Sequence, residues 1–322
     1  MNNHNKLNNK KILLLGDFFL DEFLIGDCER ISPESPVPVI KPINSIFSLG
    51  GSGNVLSNIN NLGINIIPLG ILGTDSVSKK IFKFLRNKKI SLKNFIVDKE
   101  YYGILKKRIV VKNQHIARID YENLNHQLSV KYEKKIKAKI LELIKKCDLV
   151  VISDYGKGNL NNNIINFSIK TANKLKIPSI IDPKKKNNDF SIYSGASFIT
   201  PNLEELRSIF PNLLNNDVEI IKASKIIKTK NKIKNILVTR GEKGITLLNN
   251  KLIFHSNSVA KDVFDVSGAG DTIVAVLSAG ILLEMDIKKI VKLANLCAGH
   301  VISLRGTVPI TLAKFKEYQK LL

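Results

Sequence analysis

The chain has 322 residues, 44% hydrophobic and 24% charged, a globular balance that excludes a disordered chain. No uninterrupted apolar run approaches the ~18 residues of a membrane helix. Its formal charge of +22 invites a nucleic-acid reading, but the lysines are spread along the whole chain together with Asn and Ile, as in "KKIFKFLRNKKI". No aromatics interleave with the basic runs as a stacking platform needs, which makes nucleic-acid binding the minor reading.

Residues 1–10, "MNNHNKLNNK", read as a loose polar tail. The next stretch, "KKILLLGD", starts like a signal peptide, but its apolar core runs only from Ile12 to Leu15. It reads instead as a buried strand ending at Asp17. Residues 18–47 contain "DCERISPESPVPVIKP", whose prolines place extended segments at sheet edges, because proline cannot donate to a central ladder. "LGGSGNV" at 49–55 is either a helix start that brings backbone close to a ligand or a tight turn. Residues 101–120 alternate apolar with polar or basic side chains, the pattern of a half-exposed ribbon. With 18–47 they form a small sheet over the core, either a lid or an edge for a second copy.

Helical patterns follow at 131–146, 163–175 and 217–228, separated by "LVVISD" to Asp154, "SIID" to Asp182, "SFITPN" to Asn202 and "ILVTRG" through Thr239 to Gly241. Continuous Val/Ile/Leu runs alternating with helices predict a doubly wound α/β domain with parallel strands. Ligands of such sheets sit outside the carboxyl ends of the strands, where Asp17, Asp154, Asp182, Asn202 and Thr239 all fall. Cys28, Cys147 and Cys297 form no CxxC pair, so neither a disulfide framework nor a zinc site is indicated, and a reducing, cytoplasmic setting is expected.

The sharpest motif is "FDVSGAGDTIVAV" at 264–276. A helix starting near Thr272 would point free N–H groups at Gly268–Gly270, a ready anion site. Asp271 beside it is either a dipole-complementing residue or an acceptor for the proton of an attacking hydroxyl. Phosphoryl transfer fits the second reading and calls for Mg²⁺, which a few hard oxygens satisfy; Asn202, Glu204 and Glu205 of "PNLEE" are candidates. The same two glutamates also suit the first turn of a helix after Pro201. "TRGEKG" at 239–244 is either a nucleotide loop or a hairpin turn.

Taken in order, "LLLGDFFLD", "LGGSGNV", "PNLEE", "VTRGEKG" and "DVSGAGDT" resemble the ribokinase-like carbohydrate kinases, the PfkB family, over nearly the whole chain. The resemblance implies a three-layer Rossmann-type α/β core with a β lid, one kinase domain over 11–322 with lid segments at 18–47 and 101–120. "GDFFLDEFLIGDCERISPESPVPVIKP", "KNQHIARIDYE", "SDYGKG", "IDPKK" and "ANLCAGHVI" are similar to the subgroup that phosphorylates D-glycero-β-D-manno-heptose 7-phosphate at C1. That activity is the kinase half of bifunctional heptose kinase/adenylyltransferases, and its product feeds ADP-heptose for the lipopolysaccharide core. No "HxGH"-type motif is present, so a separate adenylyltransferase is the expected pathway partner.

Carried over residue by residue, the resemblance makes Asp271 the catalytic base and Gly268, Ala269 and Gly270 the anion hole. It assigns Asn202, Leu203, Glu204, Glu205, Thr239, Gly241, Gly244 and Asn295 to ATP, with Glu205 and Asn202 serving Mg²⁺ through water and Asp265 a possible K⁺. It assigns Asp17, Asp21, Gly51, Ser52 and Asn54 to the sugar. Lys106, Arg108, Arg118, Lys157 and Lys184 are candidates for its 7-phosphate. A homodimer through the lid is expected, with neither membrane nor nucleic acid as partner. Ser52, Gly53 and Gly241 depart from the subgroup's usual residues, which bears on sugar affinity more than on catalysis. The rival readings are a kinase of the same family acting on ribose, fructose 6-phosphate or a nucleoside, and a noncatalytic sugar- or nucleic-acid-binding protein.

Overall fold

Apolar runs flanked by amphipathic helices leave the strands little choice but to bury both faces, and they do so in one eight-stranded sheet. The computed structural model describes residues 3–322 apart from 113, 123–127, 185–189, 261, 262, 264 and 305. Lys185 of "IDPKK", Asn113 of "KNQHIARIDYE" and Phe264 of the glycine motif therefore lie outside the described residues. In chain order the strands are β1 (Lys11–Gly16), β2 (Phe18–Ile31), β3 (Pro38–Gly51), β4 (Asn65–Leu69), β5 (Ile71–Leu72), β6 (Ile96–Val97) and β7 (Leu105–Val111). There follow β8 (Gln114–Tyr121), β9 (Leu149–Ser153), β10 (Ser179–Asp182), β11 (Phe198–Ile199), β12 (Asn235–Thr239), β13 (Ile245–Leu248) and β14 (Ile253–Ser256).

The large sheet has the order β14-β13-β12-β11-β10-β9-β1-β4. From β12 to β4 every neighbour is parallel, while β13 and β14 add an antiparallel hairpin at one edge. β1 and β9 are wholly buried apart from Lys11, as expected of parallel strands covered on both faces. The predicted helices are observed as Glu133–Ile144, Asn162–Lys174 and Asp217–Lys230. Asn161 and Asn216 accept from backbone N–H groups to start the last two.

The lid is a separate four-stranded sheet ordered β3-β2-β7-β8. The prolines sort as their missing N–H requires: Pro33 and Pro36 lie between β2 and β3, and Pro38 and Pro42 lie on the edge strand β3. Pro42 sits opposite Gly26, where the β2–β3 register shifts. The expectation that all of 18–47 would be edge strand is corrected for β2, which is proline-free, interior, and flanked by β3 and by β7 in parallel.

Two further expectations change. The N-terminal tail is not loose: Asn3–Asn8 is a short helix whose Leu7 is fully buried in the core. Asp148 ties the following residues down, pairing with Lys10 Nζ at 3.0 Å and accepting from the Lys11 N–H at 2.8 Å. The helix expected near Thr272 runs from Ala269 to Leu282, three residues earlier, with Gly268 as its cap. All of its residues from Asp271 to Gly280 are buried, and it packs between the helices Ser52–Asn61 and Ile287–Ile302. Leu7→Ala is expected to lower stability by about 2–4 kcal/mol, a cost that a free tail would not show. Chemical denaturation of the two proteins measures it.

Candidate functional site

Because β1, β9, β10, β11 and β12 run parallel, their carboxyl ends open on one side of the sheet, and the residues just past four of them meet in a cleft of about 170 Å³. Asp154, Asp182, Asn202 and Thr239 line it, facing Gly268, Gly270 and Asp271 across the opening. Asp17, the fifth strand-end residue, is fully buried and turned inward. Its carboxylate accepts from the N–H groups of Tyr155, Lys157 and Asn159 at 3.1 to 3.2 Å, so it holds the loop after β9 and has no face toward a ligand.

Asp271 lies in the first turn of its helix, where the partial positive charge of free N–H groups favours an anion. It is not the isolated acid that its sequence neighbours suggest. Tyr155 donates its hydroxyl to Oδ1 at 2.8 Å and Asn54 donates its amide to Oδ2 at 2.6 Å. Burial pushes the Asp271 carboxyl up to about 6, against the lowering by these two donors. It therefore takes up a proton within the range where a general base works best. Gly268 has φ +87°, and a Cβ there would lie 2.8 Å from the Asn54 amide nitrogen, so glycine is required both by the backbone and by this contact. Gly270 differs: a Cβ on it would meet nothing within 4 Å, leaving its space open toward the cleft.

The opposite wall carries carboxylates. Glu205 and Asn202 form a reciprocal cap, each side chain accepting from the other's backbone N–H at 2.8 Å, so "PNLEE" is a helix start as well as a cleft wall. Burial raises the Glu205 carboxyl to about 7. It also raises Asp182 well above the usual carboxylate range, with the charges of Glu205 and Asp271 adding to it. Asp154 is held by the Tyr193 hydroxyl at 2.8 Å and accepts from the Gly156 N–H at 2.8 Å. Among the described residues no three carboxylates, imidazoles or thiols stand close enough to cage a metal by themselves. The donor set, carboxylates and an amide with Lys184 beside them, suits a hard cation that keeps most of its water. Glu204 stands outside this set, exposed and paired with Arg207 at 3.0 Å.

The profile described as pfkB family carbohydrate kinase matches residues 11–313. The chain belongs to the pfkB family of carbohydrate kinases. It is 34% identical over 308 residues to the bifunctional protein HldE of Aliarcobacter butzleri, covering 96% of this chain and 64% of that protein. It is 36% identical over 303 residues to the bifunctional protein HldE of Helicobacter acinonychis, with 94% and 65% covered. The chain thus spans a little under two thirds of the length of these curated relatives. The fold matches the crystal structure of Escherichia coli phosphofructokinase-2 in complex with substrates and products, with TM-score 0.79, 17% identity, and 97% and 99% of the two chains covered. Arabidopsis thaliana ribokinase complexed with ribose and ATP matches with TM-score 0.75, 16% identity, and 97% and 99% covered.

In this pfkB kinase the lid reaches the cleft wall at Tyr155, whose ring lies 5.1 Å from that of Phe19 and 5.8 Å from Lys106 Nζ. The period of two along β2 puts Asp21 and Phe23 on one face, and the same period along β7 does so for Lys106 and Arg108. Arg108 pairs with Asp21 at 2.6 Å, and Lys106 stands 4.4 Å from the centre of the Phe19 ring. Arg108 and Arg118 line a hollow of about 430 Å³ with His115, Asp265 and Ser267. Arg118 is also paired with Asp120 at 2.9 Å. Lys157 forms an ion pair with Glu122, and Lys184 lines the main cleft.

Other residues named from the kinase motifs serve the frame. Ser52 is fully buried and donates to the Ser153 carbonyl at 3.2 Å, so the sugar-contact expectation does not match its orientation. Gly51 caps the Ser52–Asn61 helix. Gly241 opens a 3₁₀ turn, and Gly244 closes it at φ +77°, where a Cβ would strike the Ser256 carbonyl. "VTRGEKG" is thus the hairpin turn into β13, with Thr239 alone of its named residues lining the cleft. Asn295 donates to Ser256 Oγ at 3.0 Å and also to the Asn257 carbonyl, pinning the end of β14. Leu203 packs against the core.

Sequence reasoning missed three residues. Tyr155 has no motif of its own beyond "SDYGKG", and its contact with Asp271 spans 116 positions. Asn58 lies one turn beyond Asn54, a spacing that was available as a signal. Buried Arg240 joins the turn before β13 to Asp217 at 2.6 Å, Thr246 at 2.9 Å and Asn215 at 2.9 Å. Gly270→Ala is expected to keep or slightly raise the melting temperature, since alanine is the better helix former by about 1 kcal/mol and meets no atom. Phosphoryl transfer should nevertheless fall by about two orders of magnitude as the methyl enters the anion site. Thermal melts and an ADP-release assay on the same preparation separate the two effects.

Proposed function

We propose that this carbohydrate kinase transfers the γ-phosphoryl group of ATP to the C1 hydroxyl of D-glycero-β-D-manno-heptose 7-phosphate, giving the 1,7-bisphosphate and ADP. The observation that carries the transfer step is Asp271, held by two donors at a glycine-capped helix start with a carboxyl near 6. Asp271 accepts the proton of the acceptor hydroxyl as its oxygen bonds to the γ-phosphorus and the bond to the leaving oxygen of ADP breaks. The first-turn N–H groups around Gly268–Gly270, apart from that of Ala269, which donates to the Val266 carbonyl, would face the oxygens on which charge gathers. Asn202, Glu205 and Asp182 would hold Mg²⁺, whose charge, when bound, offsets that of the nucleotide phosphates. Lys184 brings a further positive charge to the same wall. Asp265 lines the lid hollow, not the main cleft, and is the candidate for a monovalent cation.

The heptose acceptor is supported by "RISPESPVPV" in the lid and by relatives that share about a third of their residues with this chain and carry the name HldE. A sugar with a terminal phosphate suits the lid: Asp21 offers a carboxylate to hydroxyls near Asp271, while Arg108, Arg118 and His115 line the hollow beyond. On binding, a phosphate would take Arg108 from Asp21 and leave that carboxylate to the sugar. Exposed apolar side chains on both edge strands of the lid, Ile43 on β3 and Ile116 and Ile119 on β8, support pairing of two copies there. The anomeric phosphate produced is of the class that nucleotidyltransferases consume, in keeping with an adenylyltransferase as the next activity.

Turnover is expected with heptose 7-phosphate and Mg²⁺-ATP and not with ribose or fructose 6-phosphate. A coupled ADP-release assay over that panel tests it, and a preference for ribose would sink the heptose reading. The kcat/KM profile should rise with pH through about 6 as Asp271 ionises. Asp271→Asn should lose turnover while still binding nucleotide. The same variant should melt higher than the wild type at pH 7.5. A carboxyl raised on folding makes the native state bind the extra proton, so stability falls as pH rises from the unfolded value to about 6 and stays lower above it.

A further inference from the structure

We propose that Asn58 is a positioning residue for phosphoryl transfer: it sets the direction of a buried hydrogen-bond chain that ends on Asp271 and holds that carboxylate as a proton acceptor. The proposal rests on the reading of Asp271 as the base. Asn58 is fully buried on the Ser52–Asn61 helix, four residues after Asn54 and on the same face. Its amide is satisfied on every side, and its orientation is decided by backbone groups whose roles are not open to choice. Oδ1 accepts from the Ile310 N–H at 2.9 Å, which can only donate. Nδ2 donates to the Asn54 carbonyl at 2.9 Å, which can only accept.

The second amide inherits this direction. Asn58 Nδ2 also donates to Asn54 Oδ1 at 3.2 Å, so the other end of the Asn54 amide must be its nitrogen. That nitrogen donates to Asp271 Oδ2 at 2.6 Å. Turned the other way, Asn54 would face the carboxylate oxygen to oxygen, and Asp271 would have to keep its proton and could not serve as base. Thr272, next to Asp271, donates its hydroxyl to Asn58 Oδ1 at 3.2 Å, so the chain also locks the first turn of the catalytic helix to its neighbour. A leucine would fill this place in an apolar wall without the cost of burying a polar group. The amide is spent on direction.

Other groups also act on Asp271: Tyr155 from the loop after β9, Asp21 from β2, Lys106 from β7 and Asp182 from β10. None of them touches Asn58, so variants at Asn58 leave them in place and report on the amide chain. Without the orienting donor, Asn54 rotates and its donation to the ionised carboxylate weakens, which raises the proton affinity of Asp271. In Asn58→Leu the acid limb of kcat/KM for the sugar should move up by about one pH unit, the equivalent of one hydrogen bond to a charged group. Turnover at pH 6 should fall several-fold and recover above pH 8, with KM for ATP unmoved.

Asn58→Ala, smaller and open to a replacing water, should move the limb in the same direction and supplies the test should the leucine variant not fold. Thr272→Val removes a donor from the accepting end of Asn58 while Ile310 still sets its direction, so its limb should stay where the wild type has it. A limb that is unmoved in both Asn58 variants, with kcat lowered equally at all pH, would overturn the proposal and leave Asn58 a packing residue. A limb that moves equally in Thr272→Val would also overturn it. Asp271→Asn separates this failure from that of the base reading: near-normal turnover there removes the base, whereas an inactive Asp271→Asn beside a stationary Asn58 limb removes only the relay.

Discussion

A buried aspartate at the start of an apolar helix is the constraint on which this structure turns. Burial alone would keep Asp271 protonated. The carboxyl is brought back to about 6 by donors delivered from elsewhere: Asn54, 217 positions away, and Tyr155, 116 positions away. Each lies on an element fixed by the sheet order. Asn54 follows the lid strand β3 on a helix that packs against the catalytic helix, and Tyr155 follows β9 on a loop that Asp17 anchors by three N–H groups. The neighbouring strands β1 and β9 therefore act on the surroundings of Asp271 through register: pairing Gly16 with Ser153 brings Asp17 beside the loop that it holds.

The same constraint makes the site a local liability. Asp182, Glu205 and Asp271 share one cleft, and burial raises all three. Like charges so placed lower stability until a cation or nucleotide complex offsets them. What carries the load is the buried sheet beneath, β1, β9 and β10, together with the apolar helix behind Asp271. A polar cleft with raised carboxyls above a nearly continuous apolar floor is the pattern expected where function is maintained against stability.

Much of the architecture was legible because parallel strands leave a strong trace. "ILLLGD", "LVVISD", "SIID" and "ILVTRG" are continuous apolar runs with polar ends, and each proved a neighbour in the large sheet. The lid was legible from proline and alternation, although proline spacing marked only β3 as an edge. Weaker patterns failed for physical reasons. Leu7 is one apolar residue among polar ones and has no periodicity to betray its burial. The start of the Ala269–Leu282 helix was displaced because glycines at 268 and 270 read as turn, while Gly270 is helical. Asp17 and Ser52 sit in motifs that mark a cleft, yet their side chains turn inward to hold its frame. Motif position locates a residue along the chain; which way its side chain points depends on which strand pairs beside it.

The division of labour between core and lid follows from how each is buried. In the core the polar groups around Asp271 are enclosed and mutually satisfied, from Ile310 through Asn58 and Asn54, so that changing one leaves another without a partner. The lid is a thin sheet with two free edges, whose outer strand β8 is exposed along its whole length. Substitutions along β8 cost little stability, because its exposed side chains have few enclosed partners to lose. Toward the core the lid is enclosed in its turn: Phe18, Phe19 and Leu20 of β2 are buried, and Asp21 is paired with Arg108 at 2.6 Å. Structures only 16 to 17% identical share this fold over almost the whole chain.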